Sequence, residues 1–423
     1  MGEKTRKWTV MVYLAGDNDL DSAGVADLSE MKTVGSNNHL AVVAQFDRSG
    51  AKNHTKRYLL RKGGKLAADA VGDLGETNTG DPKVLENFIL WGAEKYPAEH
   101  YMAVIWNHGS GWDDENVYGV ARSFGKDIAR KSSVISDTTF GSSLSFSTAR
   151  AISGGAMKRA IFRTSIEKGL TTRGIAFDDN ARDFLDSMEM KRVFASVTKK
   201  LGRKIDVLGM DACLMNMFEV NYQMRDNALF FVGSEEVEPE DGWPYNTVLS
   251  TLAEDPLMTP RSLSTAIVDK YIRSYRAADN VTQSACDMTR AVTAADALDR
   301  LAQSLTGGMS SATLRMAIME ARSRVQSYYT ADYVDLVDLC GIIREARVSG
   351  QITAACTSVM DSIVENGMVV KSGYKGAEVK HSHGISIYFP TKKISPLYAK
   401  LDLAKKTKWD TFLRAYLGKV KRR

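Results

Sequence analysis

Two residues in this sequence have the types and the settings for acyl transfer: His108, in the stretch YMAVIWNHGSGW, and Cys213, in IDVLGMDACLM. Each follows a short apolar run that reads as a strand, Tyr101 to Trp106 for the first and Ile205 to Leu208 for the second. A cysteine placed where a strand gives way to a helix feels the partial positive charge of unpaired backbone N–H groups, which lowers its pKa and raises its thiolate fraction. An imidazole nearby can stabilise that thiolate and later protonate a leaving amine. Taken singly, each has a plainer explanation: the histidine as a turn residue before Gly-Ser-Gly, the cysteine as a small core residue. Taken together, each at its own strand end, they point to chemistry. Cys286, Cys340 and Cys356 keep the core reading, since each falls in a helical pattern with no histidine at an equivalent position.

The elements that must position these groups alternate along the first half of the chain. Trp8 to Ala15 (WTVMVYLA), Leu40 to Phe46 and Arg57 to Arg61 read as strands; Leu20 to Met31 and Pro82 to Tyr96 read as helices, the latter with Val84, Leu85, Phe88, Ile89 and Trp91 on one side. Strands that are apolar throughout and separated by helices imply a parallel sheet covered on both faces. Reacting groups in such sheets collect at the carboxyl ends of the strands. Between residues 122 and 173 the chain becomes rich in Ser, Thr, Gly and basic residues, which reads as a long exposed insertion. Beyond Ala253 helices dominate, including Ser262 to Ala277 and Ala294 to Leu305, until Gly384 to Phe389 (GISIYF) supplies one more strand.

Composition narrows the classes. The 423 residues are 44% hydrophobic, enough for a large core without staples. The four cysteines form no CxxC pair, so neither a disulfide framework nor a zinc site is suggested. A net charge of +5 is mild for this length and comes with no nucleic-acid-binding signature. No run approaches a membrane span, and the first apolar run breaks at Gly16 and Asp17, too soon for a signal-peptide core.

The motifs together resemble the caspase-like cysteine peptidases, and within them the clostripain family. The resemblance runs over nearly the whole chain: WTVMVYLAGDNDLD, DLGETNTGDPKVLENFILWGAEKYPAEHY, IWNHGSGW, RGIAFDD, DVLGMDACLMNMFEV, EDGWPYN and HGISIYFP. It implies an α/β, caspase-like sandwich with a mostly parallel central sheet flanked by helices: a catalytic core over residues 1–252, with 122–173 as a basic linker, and a mainly helical region over 253–423. It implies a cysteine endopeptidase, with Cys213 as nucleophile, His108 as general acid/base, and the backbone N–H groups of Gly109 and Cys213 as the oxyanion hole. Cleavage after Arg or Lys follows from the same resemblance, with Asp211 and Asp241 matching the acidic positions of the pocket. Helix N-capping is an equal reading for Asp211, and Glu235, Glu236, Glu238 and Glu240 could share the pocket or form an acidic rim. Family members often cut themselves between the histidine and cysteine segments, which makes Arg122, Lys126, Arg130 and Lys131 candidate processing points, Arg122 first. The chain departs from close relatives at Asn107, where an aspartate is expected.

The expected partners are therefore proteins or peptides with basic residues, and no nucleic acid; the oligomeric state is left open. Relatives are commonly exported. No cofactor is required by the pattern, although calcium is a candidate through Asp17, Asp19, Asp21 and Asp178-Asp179, which lack EF-hand spacing. His381 and His383 alternate at a strand edge without a further ligand and read as surface residues. A catalytically silent scaffold and a ligase using the same dyad are the alternatives; retention of His108, Gly109 and Cys213 weighs against the first, and product masses would separate the second.

Overall fold

The computed structural model of the chain describes residues 5–18, 20–50, 53–112, 175–178, 183–364 and 367–420, side chains excepted at 175–178 and 183–184. Its first strand, Arg6–Gly16 (β1), is buried from Trp8 onward. Met11, Tyr13 and Ala15 enter one core and Trp8, Val10, Val12 and Leu14 the other, the period-two alternation of a strand covered on both sides. Leu40–Arg48 (β2), Lys56–Leu59 (β3), Ala70–Asp73 (β4), Ala98–Trp106 (β5), Ile205–Asp211 (β8), Ala228–Gly233 (β9), Val281–Asp287 (β10) and Val369–Lys375 (β12) complete one sheet, ordered β12-β10-β9-β8-β5-β1-β2-β3-β4. The five middle strands, β9 to β2, run parallel; β10 and β12 at one edge and β3 and β4 at the other are antiparallel additions. Two small ribbons stand apart: Ile175–Asp178 (β6) with Asp183–Leu185 (β7), and Tyr333–Asp335 (β11) with Ser386–Tyr388 (β13).

Helices cover both faces. Asp21–Val34 (α1), Tyr245–Glu254 (α5) and Pro260–Ser274 (α6) supply one core; Pro82–Lys95 (α2), Ser187–Leu201 (α3) and Phe218–Met224 (α4) supply the other. Their starts are written in the sequence: Asp81 accepts the Lys83 N–H with Pro82 in the first turn, and Asp186 and Glu189 cap each other's backbone N–H groups. Ala291–Gly307 (α7), Ala312–Arg324 (α8), Leu336–Glu345 (α9), Gly350–Ile363 (α10), Asp402–Lys406 (α11) and Trp409–Val420 (α12) extend the second core outward. Among the described residues no helix is long and apolar enough to cross a membrane.

The expected strands of the first half and the late strand near 384–389 are present. Beyond Ala253, where the sequence suggested that one late strand, β10, β11 and β12 are formed as well, and two of these belong to the central sheet.

Candidate active site

Strands β5 and β8 are neighbours, parallel, with Trp106 paired to Asp211. The segments that follow them, 107–112 and 212–217, therefore leave the same end of the sheet side by side. The Asn107 N–H donates to the Asp211 carbonyl at 3.3 Å, closing the gap between them. His108 and Cys213 are both buried. A methyl group on Gly109 would overlap the Cys213 carbonyl oxygen and lie 3.0 Å from the Cys213 nitrogen and 3.1 Å from the Ala212 Cβ. The two backbones touch at that point, and only a residue without a side chain fits there. Asn107 ties the histidine segment to a third strand: its Nδ2 donates to the Ala15 carbonyl at 2.7 Å, while its Oδ1 accepts the His108 N–H. An aspartate could make the second bond and not the first.

Cys213 does not stand at a helix N-terminus, contrary to the expectation from sequence. Helix α4 begins at Phe218, with Met217 in the capping position, and the intervening residues form a turn. Leu214 takes up that turn with a φ of 62°, an unusual conformation for a residue with a large side chain. What meets the sulfur instead is the segment after β9: the Glu238 N–H donates to Sγ at 3.3 Å, and the Leu214 N–H donates to the Glu236 carbonyl at 3.2 Å. The apolar run after Cys213 was legible as a helix, but its start lies four residues later because the chain first turns against this segment.

The same displacement removes the capping role considered for Asp211. Its side chain is fully buried and accepts the Tyr245 hydroxyl at 2.8 Å on Oδ2. Asp241 is exposed, beside Gly242 with its φ of 56°. Both act on Glu30 of α1: burial raises the Glu30 carboxyl above its ordinary range, and the charges of Asp241 and Asp211 push it the same way. Glu30 is thus a third acidic group at this end of the sheet, and sequence reasoning missed it because nothing in an amphipathic helix marks one glutamate from another. Glu238 is also fully buried and accepts from Gln283 Nε2 at 3.3 Å. Glu235 and Glu236 are turned to other uses. Glu235 accepts the Tyr328 hydroxyl at 2.8 Å and the Gly384 N–H at 3.0 Å, and burial, with the charge of Asp335, pushes it well above the usual carboxylate range. Glu236 accepts the Val237 N–H at 2.8 Å and the Tyr329 N–H at 3.2 Å. Glu240 is half-buried.

Other candidates are sorted by the fold. Arg122, Lys126, Arg130, Lys131, Asp19 and Asp179 lie outside the described residues. Asp17 is grouped with Asp47 and Glu76, carboxylate oxygens within 4.8 Å of one another, rather than with Asp21, which forms a two-bond pair with Arg48. His381 is exposed; His383 is held by Asp335 through both its N–H and its Nδ1, and that bond raises the imidazole above its ordinary pKa. Cys340 and Cys356 are buried in helices α9 and α10, as expected, whereas Cys286 lies in strand β10.

Comparison with known proteins gives the family and the fold. The sequence model of the clostripain family matches residues 12–142 and 163–416. Clostripain of Hathewaya histolytica is 24% identical over 460 residues, which cover 93% of this chain and 77% of that protein. Two solved structures share the fold. A secreted C11 cysteine protease from Bacteroides thetaiotaomicron, bound to an irreversible peptide inhibitor, aligns with a TM-score of 0.61 at 19% identity, over 96% of this chain and 99% of its own. An inactive zymogen C11 protease from Parabacteroides distasonis aligns with a TM-score of 0.62 at 18% identity, over the same shares. With its caspase-like sheet and paired strand-end segments, the chain belongs to the clostripain family of cysteine peptidases.

Proposed function

We propose that the protein is an endopeptidase that cleaves after Arg or Lys through an acyl-enzyme on Cys213. The observation that carries this reading is the contact of Gly109 with the backbone of Cys213 at the carboxyl ends of two adjacent parallel strands. The Cys213 thiolate adds to the scissile carbonyl carbon, and the N–H groups of Gly109 and Cys213 take the resulting oxyanion, a contribution of about 3 kcal/mol for such a donor. His108 gives its proton to the departing amine as the C–N bond breaks, leaving a thioester. It then takes a proton from the water that attacks the thioester, and the acid leaves with the thiol restored.

Specificity for basic side chains is supported by the nearness of three acidic groups, Asp211, Asp241 and Glu30, whose charges act on one another. A partly desolvated carboxylate pairs with a guanidinium or ammonium, and a neutral side chain would leave its charge uncompensated. Self-processing after Arg122, Lys126, Arg130 or Lys131 completes the reading. It is supported by the place of this basic segment in the sequence, between the His108 and Cys213 segments, and by its wealth of the side chains that the pocket would prefer. The catalytic core 1–252 and the region 253–423 act in this reading as one unit, because β10 and β12 extend the sheet that carries the dyad.

The chemistry needs no cofactor. Of the common ions calcium suits Asp17, Asp47 and Glu76 best, as hard oxygen donors, but three carboxylates are half the number it takes, so backbone carbonyls or water would have to complete its shell.

Peptide amides ending in Arg, Lys and an uncharged residue of similar length, given to the wild type and to Cys213→Ala, test the proposal, with intact masses taken alongside. Cleavage of the basic amides at least about a hundredfold faster than the neutral one, lost in the variant, is expected. Equal cleavage of all three would remove the specificity, and activity surviving in Cys213→Ala would remove the nucleophile.

A further inference from the structure

The ribbon of β11 and β13 comes from the far end of the chain, yet it touches both catalytic segments. On the histidine side, the hydroxyl of Tyr333, a fully buried residue, donates to the Ser110 carbonyl at 3.0 Å. The next residue, Gly111, has a φ of +74°, and a Cβ there would come within 2.8 Å of the Tyr333 ring and 2.6 Å of the Met217 sulfur. Trp112 then lies edge-on to Tyr388 of β13, ring centroids 4.8 Å apart, and 5.0 Å from Tyr398. On the cysteine side, the Ser386 N–H of β13 donates to the Asn216 carbonyl at 3.1 Å, and the Asn216 N–H in turn donates to the Ser234 carbonyl at 2.8 Å. Tyr333 and Tyr388 face each other across the ribbon's register.

We infer that the ribbon sets the distance between His108 and Cys213, and that Tyr333 is the positioning residue through which it acts on the histidine. Ser110 is two residues beyond His108. Fixing its carbonyl fixes the peptide planes that aim the imidazole, and the glycine at 111 leaves room for the tyrosine ring beside the backbone that it holds. The Asn107 bond to Ala15 anchors the segment at its start and the Tyr333 bond anchors it after the histidine, so the imidazole is held from both ends. A ring in the same place without its hydroxyl would pack as well and leave the second end loose. The sheet thus brings the two segments together, and the ribbon sets their spacing.

The inference rests on the reading of His108 and Cys213 as the dyad. Its test is Tyr333→Phe beside wild type and Cys213→Ala, with active sites titrated by a basic peptidyl acyloxymethyl ketone so that each rate is counted per competent molecule. Tyr333→Phe is expected to lower kcat about tenfold, as for one lost hydrogen bond on a catalytic segment. KM should stay within about twofold, and the alkaline limb of the kcat/KM profile, which reports the essential acid of the free enzyme, should move. Trp112→Phe, which loosens the packing of the same segment on Tyr388 of the ribbon and on Tyr398, should move kcat in the same direction and decides the matter should Tyr333→Phe not fold. Wild-type kcat and an unchanged pH profile per titrated site in both variants would overturn the inference and leave the proposed function standing. Equal labelling of wild type and Cys213→Ala would overturn both.

Discussion

At Gly109 the demand on the residue is steric. Any side chain there would meet the Cys213 carbonyl, and relieving that overlap must separate the two backbones proposed to supply the oxyanion donors. Gly109→Ala is therefore expected to lower kcat by about a hundredfold or more, in the range for loss of an oxyanion donor, and to lower Tm as well, because the overlap falls between two buried backbones. Wild-type kcat in this variant would show that the donors are elsewhere. Asn107 is constrained in another way. Its amide donates to Ala15 and accepts from His108, two opposite demands that an amide meets and a carboxylate does not. The asparagine that stands where the resemblance leads us to expect an aspartate thus gains a bond to β1.

Among the elements, α4 shows how the site is supported from behind. Glu219 on this helix is fully buried, and its Oε1 accepts the Tyr388 N–H and the Tyr398 hydroxyl, each at 3.0 Å. Burial raises its pKa from the ordinary 4.5 to about 7, the two bonds only moderating the effect. The folded-state value lies above the unfolded one, so the contribution to stability is fully present below about pH 4. It is lost as pH rises through 7. The shift corresponds to roughly 3 kcal/mol. Glu219→Gln should abolish this dependence: the stability gap between variant and wild type, measured by urea unfolding, is expected to move in the variant's favour by roughly that amount between pH 4 and pH 8. Parallel stability curves would contradict the assignment.

The elements also show what a sequence makes legible. The middle strands announce themselves as apolar runs because both faces are covered. Strand β10, VTQSACD, is equally buried and does not, because its polar side chains are consumed inside: the Thr282 hydroxyl oxygen accepts the N–H groups of Glu235 and Glu236, and Ser284 donates to the Gly384 carbonyl. Hydrophobic periodicity cannot see a polar group that is satisfied in the core. His108 and Cys213 could be found because each ends a strand, whereas Glu30 and Tyr333 reach the site from 183 residues before Cys213 and 120 after it, along paths that only the folded topology supplies.

For the whole molecule, one sheet carries the site and both ends of the chain contribute to it. β1 anchors Asn107, β5 and β8 place the segments that carry His108 and Cys213, β10 holds Glu235 and Glu236 through Thr282, and the separate ribbon holds Asn216. The central claim is that Cys213 attacks a carbonyl next to a basic side chain held at Asp211 and Asp241. It is tested most directly by peptide mapping after incubation with an arginyl or lysyl acyloxymethyl ketone. The account predicts a single adduct on Cys213, formed at least about tenfold more slowly in Asp211→Asn; an adduct on Cys286, Cys340 or Cys356, or a rate indifferent to Asp211, would contradict it.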